Sequence, residues 1–216
     1  MFITSRMRDR PYSRETVQQI TLMNWLITDD GDCQSLEFQA WTPYRPYRLY
    51  RFLTELEDIL EEIKSDRQRL EAIAPRVCEF LETATWLDSA YVPPDAQRGW
   101  SVSKLYTEQD YPLTVQLVSW KPGATSTIHN HATWGLVAML SGCERNHFWR
   151  RTEGDAIEKV GDRIVCEGEM ITFSPGAIHS IEALGDEPTI SFNLYGETDF
   201  PKRFKFDAIA QTAEHF

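Results

Sequence analysis

No stretch of this chain holds the roughly 18 or more consecutive apolar residues that a helical membrane span needs. The opening MFITSRMRDRPYSRE also lacks the apolar run of a secretory leader. Positive charge is scarce: 22 Lys and Arg face 33 Asp and Glu, for a net charge of −11 and a pI near 4.9. Such a surface repels phosphate backbones and anionic lipid, so we expect neither a nucleic-acid nor a membrane partner. There are only four cysteines, Cys33, Cys78, Cys143 and Cys166, and no CxxC pair. That argues against a zinc knuckle and predicts four buried, reduced thiols in a cytoplasmic protein. A glycine-rich phosphate loop is missing too, so no nucleotide or hydride-carrying cofactor is implied.

Aromatic residues are plentiful. They make up 12% of 216 residues, with seven Trp and eleven Phe, enough to fill a closed sheet without disulfides. The first 30 or so residues show no sustained period and read as a loose arm. Leu53, Leu56, Ile59, Leu60 and Ile63 then recur at helical spacing with acidic residues between them, an amphipathic helix. A second helical stretch runs through Leu70, Ile73, Val77, Phe80 and Leu81, where Pro75 is expected to break or kink it. The segment 92–99 (VPPDAQRG) reads as a linker. Beyond it come short β-rich runs at 113–120, 134–140, 144–151, 162–166, 170–174 and 189–195, punctuated by turn residues. The expected layout is therefore an N-terminal arm and helical region (1–91) packed on a mainly β domain (92–216), a small barrel or sandwich.

Of five histidines, two stand one residue apart in IHNHATWGLVAMLSG. On a strand, His129 and His131 project to one face and Asn130 to the other, which is chelating geometry. Imidazole suits iron, zinc, copper and nickel, and the apolar run behind the pair offers a rigid, dry wall. The spacing around the pair runs Gly123, His129, His131, Gly135, Gly142. A second stretch, GEMITFSPGAIHSIEA, carries Gly168, Pro175, Gly176 and His179.

These two blocks resemble the two motifs of the cupin superfamily, whose fold is a double-stranded β-helix. The resemblance implies His129, His131 and His179 as metal ligands. Gly135 stands at the motif's glutamate position, and Ala183 at its closing asparagine. Three histidines without the carboxylate are similar to the set in the cysteine dioxygenase-like thiol dioxygenases, which oxidise a thiol to a sulfinate at non-haem Fe(II). The turn with Trp120, Pro122 and Gly123 before H-x-H agrees with that group. So does a late strand reading Ser191, Phe192, Asn193, Leu194, Tyr195, where the group has Ser-x-His-x-Tyr.

Two departures narrow the likeness. Gly135 and Leu136 leave no cysteine to crosslink Tyr195. The H-x-H-x-x-W-G pattern formed by His129, His131, Trp134 and Gly135 instead resembles the bacterial 3-mercaptopropionate dioxygenase branch. The carboxylate-binding arginine of the animal enzymes is missing near Ser103 and Lys104, whereas Arg203 lies eight residues after Tyr195, as the bacterial branch implies. The resemblance thus implies an Fe(II) enzyme, monomeric or homodimeric, acting on a small thiol carboxylate and O2. In it Arg203 and Trp134 contact substrate, and Tyr195, Ser191 and Asn193 form the relay strand. Asn193 is the weak link, since an amide cannot exchange protons as imidazole does. Two rivals stay open: another metal-dependent cupin dioxygenase or isomerase, and a cupin that binds metal or metabolite without turnover. His147 reads as a strand-surface residue, His215 as a frayed end, and Arg145, Arg150 and Arg151 as a solvated patch.

Overall fold

The computed structural model describes residues 24–36 and 47–216. Most of the loose arm expected at the N-terminus, residues 1–23, lies outside them. Its last part does not behave as an arm. Asn24–Ile27 (β1) and Cys33–Leu36 (β2) form a hairpin, and β1 pairs in parallel with Met170–Phe173 (β9). Asn24 and Ile27 are fully buried there.

Two helices follow, Leu49–Glu62 (α1) and Asp66–Thr83 (α2), then the single turn Leu87–Ala90 (α3). Helix α1 buries Phe52, Leu53 and Leu56, the last lying three and four residues beyond the other two, as its apolar spacing requires. Helix α2 runs unbroken through Pro75, against the expected break. The residues flanking the proline, Ile73, Ala74 and Val77, are fully buried, and that packing outweighs the one backbone donor that proline removes. Among the described residues, no helix is long and apolar enough to cross a membrane.

The rest is β structure. It comprises Trp100–Tyr106 (β3), Thr114–Trp120 (β4), Ile128–Asn130 (β5), Gly135–Ser141 (β6), Cys143–Arg151 (β7) and Ile157–Cys166 (β8). After β9 come Ile178–Leu184 (β10), Thr189–Tyr195 (β11), Phe204–Asp207 (β12) and Thr212–His215 (β13). They build two sheets, ordered β2-β1-β9-β6-β11-β4-β3 and β13-β12-β5-β10-β7-β8. The fold is mainly β, a double-stranded β-helix with a helical segment near the N-terminus.

Strand β11 joins the two cores. Its sequence TISFNLY is buried almost throughout, so alternation sorts it by face. Phe192 meets Phe52 and Phe80, with ring centroids 6.1 and 5.8 Å away, while Phe52 and Phe80 stack at 4.5 Å and 11°. Thr189, Ser191, Asn193 and Tyr195 face the other way, into the barrel. Neighbouring β6 sorts likewise: Leu136 and Ala138 join the helical core, Val137 and Met139 the barrel core.

The thiol reading needs correction. Cys143 and Cys166 are cross-strand partners on β7 and β8 and are joined by a disulfide. Hairpin pairing brings them together, which linear spacing did not reveal. Cys33 is free and exposed, and Cys78 is free and buried. His215 is also not frayed: it pairs with Phe204, and the rings stack at 4.6 Å. His147 lies on the outer face of β7, half-buried, 3.8 Å from Glu182. Arg145 and Arg150 pair with Glu182 and Glu158, at 2.9 and 2.6 Å.

Candidate metal centre and cavity

The three histidines meet. Strand β5 carries His129 and ends at Asn130, with His131 just beyond, and β10 carries His179 directly opposite His129. One ring nitrogen from each lies within 4.8 Å of the others. Hydrogen bonds fix which nitrogen faces inward. The Nδ1 of His129 lies 2.9 Å from the Thr127 carbonyl, and the Nδ1 of His179 lies 3.0 Å from Oδ1 of Asn146. Both acceptors require an N–H at Nδ1, which leaves the Nε2 lone pairs pointing at the centre. Nε2 of His131 stands 2.9 Å from Nε2 of His179. Burial pushes the pKa of His129 down and those of His131 and His179 well down, reinforced for the latter two by the neighbouring imidazoles. Three neutral imidazoles with convergent lone pairs fit a divalent transition metal. Among the described residues this is the one His, Cys, Asp and Glu group close enough to hold an ion, and it contains no carboxylate.

Ala132 adopts φ +52°, a left-handed conformation uncommon for a residue with a side chain. Its carbonyl accepts the backbone N–H of Asp199 at 3.1 Å, so the turn after His131 is tied to the segment leading to Arg203. Asn130 makes the same connection from the strand's other face. Its Nδ2 donates to the Lys202 carbonyl at 2.9 Å and its Oδ1 accepts the Phe204 N–H at 2.7 Å. Both residues flanking Arg203 are therefore clamped to the strand that carries His129.

The histidines open into a cavity of about 440 Å³. Tyr195 and Arg203 line this end with them, beneath Phe216. The Tyr195 ring stacks on His131 at 4.4 Å and 21°. Its hydroxyl donates to Asn193 Oδ1 at 2.8 Å, and Asn193 Nδ2 donates to Ser191 Oγ at 2.8 Å. Ser191, Asn193 and Tyr195 are thus the hydrogen-bonded row that alternation predicts. Burial pushes the Tyr195 phenol up and keeps it neutral. Gly135 is required by this ring, because a Cβ there would come within 2.7 Å of Tyr195 Cδ1. Arg203 lines the same wall, its buried Nε without a hydrogen-bond partner, and its guanidinium carbon lies 4.4 Å from the Phe216 ring centre.

Trp134 is placed elsewhere. It faces the helices with Leu136 and does not line this cavity. Its indole packs over Gly196, where an added Cβ would come within 2.4 Å of Nε1. Alternation explains the outcome: Gly135 occupies the barrel-facing position, so its neighbour points outward.

Several cavity residues escaped the sequence reading. Asn146, which orients His179, and Glu144 share the inward parity of Phe148 on β7, and that alternation was the available signal. Trp100, Trp120 and Arg98 line the end remote from the histidines. Ser103 and Lys104 belong to β3, whereas Arg98 comes just before that strand.

No family model matches the sequence. Structural neighbours are cupin and double-stranded β-helix proteins. One is a conserved Klebsiella pneumoniae protein with a double-stranded β-helix domain, at 18% identity and a TM-score of 0.42, covering 52% of this chain and 83% of that one. A second is a cupin superfamily protein of Desulfitobacterium hafniense, at 14% identity and a TM-score of 0.40, covering 51% and 87%. A third is an oxalate oxidase, at 16% identity and a TM-score of 0.39, covering 48% of this chain and 53% of that one. Each match thus spans about half of this chain, and the last spans about half of the oxalate oxidase chain.

Proposed function

We propose that this protein is a metal-dependent cupin enzyme and, more finely, a non-haem Fe(II) dioxygenase that converts a small thiol carboxylate, 3-mercaptopropionate or cysteine, to its sulfinate. The observation that carries the reading is the shared cavity: three carboxylate-free histidines, a hydrogen-bonded Ser191–Asn193–Tyr195 row and Arg203 with an unpartnered Nε. The overall reaction is R–SH + O2 → R–SO2H, in which sulfur loses four electrons and both oxygen atoms end on it. Bound Fe(II), held by His129, His131 and His179, would supply sites for thiolate and O2 and the electronic coupling between them.

The chain's own residues supply position. Arg203 holds the substrate carboxylate through its planar fork. Burial lowers its pKa below the ordinary guanidinium value, favouring a bound anion that restores the lost solvation. Asn193 holds the Tyr195 hydroxyl proton, so the phenol oxygen offers a lone pair toward the cavity and orients substrate. Phe216 stacks against His129 with centroids 5.7 Å apart and shields that face from water.

Asn193 favours a second reading. Its amide fixes Tyr195 but cannot pass a proton along β11, which suits another cupin oxygenase, an isomerase or a binding protein equally. The test is oxygen uptake by anaerobically Fe(II)-reconstituted protein offered 3-mercaptopropionate, cysteine and cysteamine, with product analysis and a His179→Ala control. Uptake matched by sulfinate and lost in the control supports the dioxygenase. Stoichiometric iron binding with no thiol-driven uptake would sink it.

A further inference from the structure

Glu144 is buried, 3% exposed, in the wall of the cavity, yet it plays no part in the chemistry above. One carboxylate oxygen, Oε1, accepts the Thr189 hydroxyl at 2.8 Å. The backbone position of Glu144 lies well along the cavity from the histidines, and its negative charge is felt as far as the Tyr195 hydroxyl. Strand register sets Glu144 opposite Ala183, whereas His179 lies opposite Phe148, four residues away along β10, or about 13 Å. The facing wall has the same polarity. Thr189 and its cross-strand partner Trp120 lie six residues along β11 from Tyr195, and Trp120 pairs in turn with Trp100. The two indoles line the cavity with centroids 5.9 Å apart. Between the ends, Val118 and Ile181 provide apolar lining.

We propose that Glu144 and the Trp100–Trp120 pair form a subsite for the ammonium end of an extended ligand whose other end reaches the three histidines. It rests on the reading of the histidines as the substrate centre and lengthens the substrate class to ligands beyond a three-carbon thiol acid. A buried carboxylate bonded to Thr189, the cross-strand partner of Trp120, brings to one part of the cavity the two groups that recognise an organic cation, an anion and indole rings. Arg203 at the opposite end repels that cation and so sets the ligand's direction. Arg98 stands over Trp100 at 5.3 Å, but its side chain is 63% exposed and 3.8 Å from Asp95, so solvent screens its charge. Burial, partly offset by the Thr189 hydrogen bond, raises the Glu144 pKa to about 7, and an ammonium partner would restore its ionised form.

The test uses n-hexylammonium and uncharged n-hexanol as probes on the metal-loaded full chain, read by calorimetry and tryptophan fluorescence. Hexylammonium is expected to bind at least about tenfold tighter than hexanol, a preference that charge pairing of this kind supplies. The preference should vanish in Glu144→Gln and shrink in Trp100→Ala, a change at the half-exposed rim that leaves the core intact. Equal binding of the two probes, or a preference that persists in Glu144→Gln, would overturn the subsite. No sulfinate from any thiol, with the cation preference intact, would remove the dioxygenase reading and leave the subsite standing.

Discussion

Gly135 shows how tightly single residues are constrained here. The cupin-like motif has glutamate at this position, but a Cβ would collide with the Tyr195 ring, so a fourth, anionic ligand and the stacked tyrosine exclude each other. Gly135→Ala is expected to displace Tyr195 from His131 and lower metal affinity and turnover about tenfold or more, with overpacking costing about 1–3 kcal/mol; metal titration and urea denaturation would report the two effects. Wild-type affinity in that variant would show the stacking to be dispensable. Glu144 makes the opposite kind of prediction. Its carboxyl ionises near 4.5 when unfolded and near 7 when folded, so the native state retains a proton that the unfolded state releases. Stability is then unpenalised below pH 4.5 and falls as pH rises to 7, by about 3 kcal/mol in total. Relative to wild type, Glu144→Gln should gain stability between pH 5 and pH 8, a trend that denaturant melts at the two values would reveal; a pH-independent difference would mean that the carboxyl is already ionised.

Strand β11 and the β7–β8 hairpin show what could be read in advance at the level of elements. The late strand was legible because Ser191, Asn193 and Tyr195 share one parity, and the structure joins them by hydrogen bonds. Trp134 misled because motif adjacency suggested proximity to substrate, whereas strand parity turns it toward the helices. Strands β10, β12 and β13 were not anticipated, being short or mixed in polarity and held by their neighbours rather than by their own pattern. The disulfide depended on hairpin register, which no spacing rule contains. Because it closes a loop of 23 residues, replacing both Cys143 and Cys166 by Ser is expected to cost about 3 kcal/mol, measured by urea denaturation without reductant. The same melt with dithiothreitol should bring wild type down to the variant; no change on reduction would show that the bridge does not constrain the unfolded chain.

Across the whole molecule, the three histidines come from β5, the turn after it and β10, so a metal would fasten segments 48 residues apart in sequence. A ligand at 100 times its dissociation constant stabilises by about 2.7 kcal/mol. Fe(II) or Zn(II) should therefore raise the melting temperature by a few degrees, and chelation should reverse the shift, in wild type but not in His179→Ala. An equal shift in the variant would place the ion elsewhere. The β-helix and the metal centre were legible because two motifs and alternating strands point to the same geometry, while the cavity's remote end was not, because it is assembled from strand rows that meet only in the fold. The β1–β2 hairpin has a further meaning in that frame. Its parallel pairing covers the edge of β9, at the other end of the strand order from β3. Without the hairpin, β9 would present open backbone donors and acceptors to other molecules, so this small N-terminal piece guards the strand whose Phe173 packs against His179.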